Sequence, residues 1–461
     1  MTSAPYTIVL AGHSAVHASG NHFNQSYSHW LHEVLGPPLA AVGVQLVTRN
    51  HAMGGLSSIH RSACFAASYG ADLDAILWDY GMTGGGVSEA DYFFRQAMQQ
   101  PRRPLLVGFQ PDHGRVPALS QATKISYNKS TSVPWGLLRF YESAGYHTAY
   151  VVGAPETVAL YRDGVTMSIE QAATLPPGLR FLHCISENRQ VLTPVCNTYK
   201  YDCNCGVEKA KHCSGAASWH PGWRYHRLRG HMAGALFLDM LESALTIFQE
   251  EVHVQALPLT NALWHIHEDL ANLERAAGII LRNPDSPCHW DSSLKKLGCS
   301  VTYQCATEFL PSVGATIESL IVPKKGEGWT LDTGWRNKMH ECPAGGNPNV
   351  RGFYYSQSES TLVLRLNGVR DGIVVLAPWG VSPCLINWGT TSFGPDLIKG
   401  KNFTNNPNAE LWLDGTRVSS FERGPSYASI AQVQHTALKS SVVELRLRMS
   451  LPCALSHVLW R

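Results

Sequence analysis

A serine stands just beyond a short apolar run near the start of the chain, and it is the first candidate for chemistry. Residues 6–11 read YTIVLA and are followed by Gly12, His13 and Ser14. Such a run predicts a buried strand, and the turn after it presents the serine hydroxyl at the carboxyl edge of a sheet, where open α/β proteins bind ligands. Ser14 is therefore a candidate nucleophile or a turn residue, because serine also caps turns and helices.

Three further segments carry residues suited to the same chemistry. Residues 49–55 read RNHAMGG, residues 78–84 read WDYGMTG, and residues 219–226 read WHPGWRYH. The glycine pair of the first segment lets backbone N–H groups approach an oxyanion closely, or it forms an ordinary turn. His220 precedes a proline at a loop-to-helix junction, which restrains its backbone and makes it a candidate general base.

The elements that position these residues are predicted by alternation along the first half of the chain. Short apolar runs occupy residues 6–11, 45–50, 75–81, 104–110 and 147–153, and the segments between them are long enough to hold helices. Strands that alternate with helices predict an α/β fold with a parallel, doubly wound sheet.

The helices have their own signals. Tyr27, Leu31, Val34 and Leu35 fall at helical spacing, and Gly36-Pro37-Pro38 predicts the end of that helix. Ser88 and Asp91 predict a capping box for a helix over residues 89–98. A long helix is expected over residues 223–251. A second helix is expected over residues 257–282, with an apolar stripe of Leu263, Ile266, Leu270, Leu273 and Ala277.

The last third of the chain has a different character. A cysteine-rich connector follows the second long helix, and from about residue 313 apolar or alternating runs are separated by Gly, Pro and Asn. The clearest runs are Thr361–Leu366, Ile373–Ala377, Glu410–Leu413, Val442–Met449 and Ala454–Trp460. We therefore expect an α/β domain over residues 1–255, a helical and cysteine-rich connector over 256–312, and an all-β, sandwich-like domain over 313–461.

In this order, the four segments resemble those of the SGNH (GDSL-like) hydrolase superfamily. Its pattern is Gly-Asp-Ser after the first strand, a glycine after the second, Gly-x-Asn-Asp after the third, and Asp-x-x-His near the final helix. The resemblance spans residues 5–250 and is strongest to a eukaryotic branch found in algae, oomycetes and fungi. That branch has a first block like Gly-x-Ser-Val-Thr-Ala-Gly-His-Asp-Asn and a β-rich C-terminal module. Residues 12–21 read GHSAVHASGN, and residues 455–460 read LSHVLW, like the usual ending of the branch.

The resemblance implies a flavodoxin-like sheet and a serine esterase acting on O-acyl esters, such as acetyl esters, of a glycan or similar substrate. It implies that Ser14 is the nucleophile, that His220 is the base, and that the N–H groups of Ser14 and Gly55 are oxyanion donors. The third donor of the family, an asparagine, falls at Thr83.

The acid of the family, three residues before the histidine, falls at Ala217, and His13 replaces the aspartate of the first block. Asp79, Asp112 and Asp202 are candidates for the missing acid or for a supporting role. The departures leave two alternatives open, a catalytically impaired protein that binds glycans or proteins, and an O-acyltransferase that uses the same site.

Other motifs carry less chemistry. Cys203, Cys205, His212 and Cys213 have a spacing that suits zinc poorly. The glycines of residues 81–86 lack the Lys and Ser/Thr of a phosphate loop, and His265 and His267 point to two faces of a helix. We expect neither a metal nor another cofactor. Arg224, His226 and His231 are weaker candidates for the mouth of the site.

Composition limits the partners. The formal net charge is +2, from 37 basic and 35 acidic residues, which argues against nucleic acid as a partner. The sequence contains no run of about 20 apolar residues, so we expect no membrane span. The expected partner is thus an ester-bearing carbohydrate or a small acyl ester.

Twelve cysteines and three glycosylation sequons, at Asn24, Asn128 and Asn402, favour disulfides and a secreted protein. The first strand begins too close to Met1 to leave room for a signal peptide, so the export segment is expected to be absent from this sequence. The alternative is a cytoplasmic protein with free thiols.

Overall fold

The computed structural model describes most of the α/β part of the chain and selected strands beyond it. The described residues are 4–13, 16–18, 23–53, 57–81, 86–110, 133–152, 183–185, 192–194, 223–251, 259–291, 294–295, 298–310, 313–322, 329–332, 350–351, 353–356, 360–367, 373–376, 409–413, 416–418, 431–433, 442–449, 453–455 and 457–460.

Five parallel strands form the central sheet. They are β1 (Tyr6–Gly12), β2 (Leu46–Asn50), β3 (Ala75–Asp79), β4 (Leu105–Gln110) and β5 (Thr148–Val152). Their order is β2-β1-β3-β4-β5, the flavodoxin-like arrangement, and all four pairings are parallel. The predicted parallel sheet is confirmed. The expected strands agree with the observed ones to within one residue except at the end of β3, which stops two residues early.

Seven α-helices lie within the described residues. They are α1 (Tyr27–Ala41), α2 (Ser58–Ala63), α3 (Phe65–Tyr69), α4 (Val87–Met98), α5 (Val133–Ser143), α6 (Trp223–Gln249) and α7 (Leu259–Arg282). The core on one face of the sheet contains Leu31 and Leu35 of α1 and Ala233 and Phe237 of α6. The core on the other face contains residues of α4, α5 and α7. Both faces of the parallel sheet are thus covered, as a sheet of this kind requires.

Helix α1 continues through Pro37 and Pro38, so the prediction that these residues end it is wrong. Its buried stripe of Leu31 and Leu35 extends past the prolines to Leu39, which is also buried. Helix α6 packs so closely along α1 that a Cβ on Gly230 would lie 2.4 Å from Trp30 Cβ. Burial against the sheet and α6 therefore outweighs the two backbone N–H donors that the prolines remove.

The capping box predicted for α4 is also wrong. The helix begins at Val87, its N-cap residue is Gly86, which has no side chain, and Ser88 lies inside the helix. Asp91 instead lies buried inside α4, where it accepts hydrogen bonds from Arg95 Nε at 3.2 Å, from the Tyr141 hydroxyl and from the Cys288 N–H at 2.9 Å. A carboxylate at this spacing resembles a cap in sequence but here organises a tertiary contact.

Arg95 joins α4 to the end of α7. Its guanidinium, which is fully buried, donates to the carbonyls of Ile280 at 2.7 Å and Leu281 at 3.0 Å and to the Ser300 hydroxyl at 3.0 Å. The donors satisfy carbonyls that the end of a helix leaves without intrahelical partners. The second half of α7 is in this way fixed against the sheet domain.

The expected stripe of α7 is correct only in part. Leu273 and Ala277 are buried in the core of the α/β domain, whereas Leu270 is 42% exposed. The side chains of Leu263 and Ile266 lie outside the described residues. Helix α7 therefore contributes its last three turns to the core beneath α4.

The remaining described strands lie after β5, two of them within residues 183–194 and the others in the C-terminal region from residue 304 onward. They are β6 (His183–Ile185), β7 (Leu192–Pro194), β8 (Gln304–Thr307), β9 (Phe309–Leu310), β10 (Trp329–Asp332), β11 (Val350–Arg351), β12 (Phe353–Ser356), β13 (Ser360–Asn367), β14 (Ile373–Leu376), β15 (Ala409–Leu413), β16 (Thr416–Val418), β17 (Ala431–Val433), β18 (Val442–Met449), β19 (Cys453–Leu455) and β20 (His457–Trp460). The larger sheets have the orders β10-β12-β19, β13-β18-β15-β16 and β17-β14-β20-β8, and all of their pairings are antiparallel.

The predicted β character of this region is confirmed for the described strands. The single run expected over Ala454–Trp460 is two strands, because β19 pairs with β12 while β20 pairs with β14 and β8. Leu455 and His457, which are two residues apart, therefore belong to different sheets. Such a change is invisible in a continuous apolar pattern.

A disulfide and apolar contacts join the sheet β17-β14-β20-β8 to the α/β domain. Cys64, between α2 and α3, forms a disulfide with Cys305 of β8, and Leu459 of β20 packs in the same buried cluster. A second disulfide links Cys288 to Cys299, and both residues are buried in that cluster. The expectation of disulfides is confirmed for these two pairs.

One helix among the described residues is long and apolar enough to cross a membrane by composition. It is the His226–Gln249 part of α6, whose most apolar 18-residue window has a mean hydropathy of 1.2 and is 17% buried. Core helices of soluble proteins pass the same test. The first half of this helix packs against α1.

We expect Arg95→Met to destabilise the protein by about 3–5 kcal/mol, because it leaves the Asp91 carboxylate buried without its cation. Urea unfolding monitored by circular dichroism measures this loss. Arg102→Met is the matched control, since its ion pair with Asp74 is partly exposed and is expected to contribute about 0–1 kcal/mol. Equal losses in the two variants would contradict the prediction.

Candidate functional site

The carboxyl ends of β1 and β3 meet at Gly12 and Asp79. These two residues are partners in the parallel register, and both end their strands. A Cβ on Gly12 would lie 2.6 Å from the Asp79 carbonyl oxygen and 2.3 Å from Val16 Cγ2, so only glycine fits there without a backbone shift. In a sheet of order 2-1-3-4-5 this is the topological switch point, where ligand-binding crevices form.

The turn after β1 is held to the end of β2. Val16 and His17 both donate their N–H groups to the His13 carbonyl at 3.0 Å. Asn50, the last residue of β2, donates from Nδ2 to the Val16 carbonyl at 3.0 Å, and its Oδ1 accepts from the Ala52 N–H at 3.1 Å. One buried amide thus joins the segment after Ser14 to the segment before Gly54-Gly55.

The same segment is supported from below by His51. Its Nδ1 donates to the Ser68 carbonyl, which also accepts from Arg61 Nη2 at 2.9 Å. Burial and the positive charge of Arg61 lower the pKa of His51 to about 3, so the ring is neutral at physiological pH. Its backbone N–H donates to the Leu10 carbonyl, and the N–H of Met53 donates to the Gly12 carbonyl, each at 2.9 Å.

A tyrosine pair extends this support to the end of β3. The hydroxyls of Tyr69 and Tyr80 lie 3.0 Å apart, and Tyr80 directly follows Asp79. Burial raises the pKa of Tyr80 to about 12, and the Arg61 guanidinium lies 5.3 Å from the centre of the Tyr69 ring. The two tyrosines are therefore uncharged at neutral pH and support the end of β3 through their hydrogen bond.

Asp79 forms a buried ion pair with Arg229 of α6. Asp79 Oδ2 accepts from Arg229 Nη2 and, at 3.4 Å, from the Tyr27 hydroxyl. The side chain of Arg229 is fully buried and that of Asp79 is 5% exposed. The guanidinium carbon lies 5.1 Å from the centre of the Tyr27 ring and 5.5 Å from that of Phe109. A carboxylate and two aromatic faces therefore hold this cation at the edge of the sheet.

Among the predicted site residues, Asp79 lies at the edge as expected. The others lie outside the described residues: Ser14, Gly55, Thr83, Asp112, Asp202, Ala217 and His220. Their roles stay predictions. Of the glycosylation candidates, Asn24 is described and exposed, while Asn128 and Asn402 lie outside the described residues. So do Cys203, Cys205, His212 and Cys213.

The two described histidines near the start of α6 lie on different faces. His226 is fully buried and stacks on Tyr27 with ring centres 6.1 Å apart. His231 lies on the exposed face against Trp30, where partial burial lowers its pKa. They do not line one mouth together, and the side chain of Arg224 lies outside the described residues.

Sequence reasoning missed Arg229 and the bridging role of Asn50. The signal for Arg229 was present, because His226, Arg229, Gly230 and Ala233 follow a helical repeat and form the buried face of α6. A cation inside such a repeat indicates a buried partner. Asn50 had no such signal, because its two hydrogen bonds depend on how separate turns are placed.

Comparisons with known proteins were made for the chain as a whole. No protein-family model matches it. No curated protein matches it either.

The chain is similar to several solved structures. A two-domain esterase (CEX) active on acetylated mannans, co-crystallised with mannopentaose, matches at 12% identity with a TM-score of 0.38, over 99% of this chain and 90% of its own. TesA matches at 13% identity and a TM-score of 0.24, over 49% of this chain and 94% of its own. A possible lipase from Chitinophaga pinensis matches at 13% identity and a TM-score of 0.28, over 51% and 98%. The fold class of this chain, an α/β protein with a flavodoxin-like parallel sheet, follows from the observed strand order and not from these similarities.

His51 predicts a pH dependence of stability. The unfolded chain binds a proton there near pH 6.5, whereas the folded protein keeps the ring neutral down to about pH 3. The stabilising contribution is therefore complete above pH 6.5 and is lost as the pH falls toward 3. In His51→Asn, Nδ2 keeps a donor for Ser68 but does not titrate. We expect the slope of unfolding free energy against pH between 6.5 and 3 to fall by up to about 1.4 kcal/mol per pH unit. Urea unfolding at several pH values measures the slope, and an unchanged slope would contradict the assignment.

Proposed function

We propose that the chain is a serine esterase of the SGNH type that hydrolyses O-acyl esters, such as acetyl esters, on a glycan or a similar substrate. The observation that carries the proposal is the register of the central sheet. It brings the ends of β1 and β3, which precede Ser14 and Thr83 in the chain, together at the switch point of a 2-1-3-4-5 order.

Chain connectivity supports this assignment of residues. Ser14 follows Gly12, the last residue of β1, by two residues in the chain. Gly55 follows Met53 by two residues, and Met53 is hydrogen-bonded to Gly12. His220 precedes α6 by three residues, and α6 is joined to the end of β3 by Arg229. These connections support the proposal that the four segments of the sequence pattern meet at one edge.

The proposed reaction has two steps. The Ser14 hydroxyl oxygen attacks the ester carbonyl carbon while His220 accepts its proton, and the N–H groups of Ser14 and Gly55 and the Thr83 hydroxyl donate to the oxyanion. The ester C–O bond then breaks, and His220 returns the proton to the departing alcohol. Water adds to the acyl-serine by the same route and releases the carboxylic acid.

The geometry argues against one of the three candidates for the acid that orients His220. The carboxylate of Asp79 accepts from a buried guanidinium, so we assign it a supporting role. Asp112 and Asp202 remain the candidates for the orienting acid. The sandwich-like arrangement of the C-terminal strands, and the membership of the eukaryotic branch, belong to the same proposal.

Ser14→Ala tests the nucleophile. We expect it to abolish labelling by a fluorophosphonate probe and to lower kcat on p-nitrophenyl acetate or an O-acetylated polysaccharide by as much as ~10⁶-fold, since loss of a serine nucleophile removes the covalent step. Labelling followed by peptide mass spectrometry identifies the site.

Ser143→Ala is the matched control, because the Ser143 hydroxyl is exposed at the end of α5 and donates to the Phe140 carbonyl. This variant should keep both labelling and turnover. An unlabelled wild-type protein that is folded and glycosylated would overturn the proposal.

We also propose that the protein is secreted. The two disulfides and the exposed position of Asn24 support an oxidising compartment in which sequons are accessible. Asn24→Gln in a chain expressed through a eukaryotic secretory pathway should remove one N-glycan. Intact-mass spectrometry before and after treatment with an N-glycosidase measures the change. A wild-type mass that the glycosidase does not alter would contradict glycosylation.

A further inference from the structure

The ion pair between Asp79 and Arg229 connects two parts of the chain that are 150 residues apart. Asp79 ends β3 beside Gly12, and Arg229 lies in the second turn of α6. Ser14 follows Gly12 by two residues, and His220 precedes Arg229 by nine. The pair therefore lies between the segment that leads to the proposed nucleophile and the helix that follows the proposed base.

The surroundings of the pair fix its geometry in more than one direction. Tyr27 of α1 and Phe109 of β4 stack with ring centres 5.3 Å apart, and the guanidinium lies against both rings. Tyr27 also stacks on His226, one turn before Arg229. Helix α1 and strands β3 and β4 thus all contact Arg229, and α1 also contacts His226.

Energetics argue that this pair has a role other than stability. Replacing a buried ion pair by apolar residues of similar volume is often neutral or stabilising, because the desolvation of two charges offsets their attraction. Apolar contacts are non-directional, whereas the hydrogen bond from Arg229 Nη2 to Asp79 Oδ2 and the packing of the planar guanidinium against two rings fix both distance and orientation. A buried pair at the edge of the sheet therefore provides orientation that a leucine pair would not.

We propose that Asp79 and Arg229 are positioning residues, which set the rotation and height of the start of α6 against β3 and thereby the placement of His220 relative to Ser14. This inference rests on the proposed function. Neither residue is assigned a contact with substrate. Their effect on the reaction is transmitted through the backbone of α6 and the turn after β1.

The test is a double-mutant cycle on kcat and KM. Asp79→Asn, Arg229→Met and the double variant are assayed with p-nitrophenyl acetate, at a temperature where circular dichroism shows each variant folded. Misplacement of about 1 Å lowers turnover by roughly 10²-fold, so each single variant should lose about that factor in kcat, with KM nearly unchanged. The double variant should lose no more than the worse single variant, because the two residues act as one unit.

A conservative variant and a control pair separate positioning from general destabilisation. Arg229→Lys keeps the charge without the fork and should recover part of kcat relative to Arg229→Met. Asp74→Asn and Arg102→Met disrupt a different ion pair, in which Arg102 Nη1 lies 2.9 Å from Asp74 Oδ2. Asp74 directly precedes the first residue of β3, whereas Asp79 is its last residue. These control variants should keep the wild-type kcat.

The outcomes distinguish the inference from the proposed function. Fluorophosphonate labelling of wild-type Ser14 is measured first, and its absence overturns both. If the wild-type protein is labelled and active, kcat near the wild-type value in Asp79→Asn and Arg229→Met overturns the positioning role alone. Losses that multiply in the double variant, or equal losses in the Asp74–Arg102 control pair, overturn it as well.

Discussion

The backbones of β1 and β3 approach each other so closely at Gly12 that no other side chain fits, and the rest of the carboxyl edge depends on this contact. The Gly12 carbonyl accepts from Met53 after β2, and the residue paired with Gly12, Asp79, accepts from Arg229 of α6. The ends of β1, β2 and β3 and the start of α6 are in this way joined around Gly12. An edge built around one tight backbone contact has little freedom to change the spacing of the groups that follow each strand.

Three arginines that are fully buried among the described residues mark junctions of the fold. Arg61 of α2 donates to the Ser68 carbonyl in α3, Arg95 of α4 donates to the end of α7, and Arg229 of α6 meets the end of β3. Each guanidinium has several donors in a fixed plane, so each can satisfy backbone carbonyls or a carboxylate where elements meet at an angle. The chain thus uses cations at junctions between elements, while apolar side chains fill the layers.

The sheet and the long helices could be predicted from the sequence because each depends on a local repeat. Their junctions could not. Asp91 has the spacing of a helix cap, yet it binds Arg95, Tyr141 and the N–H of Cys288, which is 197 residues away. Pro37 and Pro38 are helix breakers by their own chemistry, but burial of Leu39 keeps α1 intact. Of the candidate site, the position of Asp79 at the end of β3 could be predicted from the apolar run before it, whereas Arg229 required the register of α6.

The disulfide between Cys64 and Cys305 spans 241 residues, and that separation constrains the order of events during synthesis. At about 5–20 residues per second, Cys64 leaves the ribosome roughly 12–50 s before its partner. Seven further cysteines are made in that interval, from Cys184 to Cys299, and each is a competing thiol. Cys64 lies in one buried cluster with Ile59 of α2 and Tyr92 of α4, so folding of these helices before β8 arrives would shield it from those thiols. The same bond would also hold two halves together after a protease cut between residues 64 and 305.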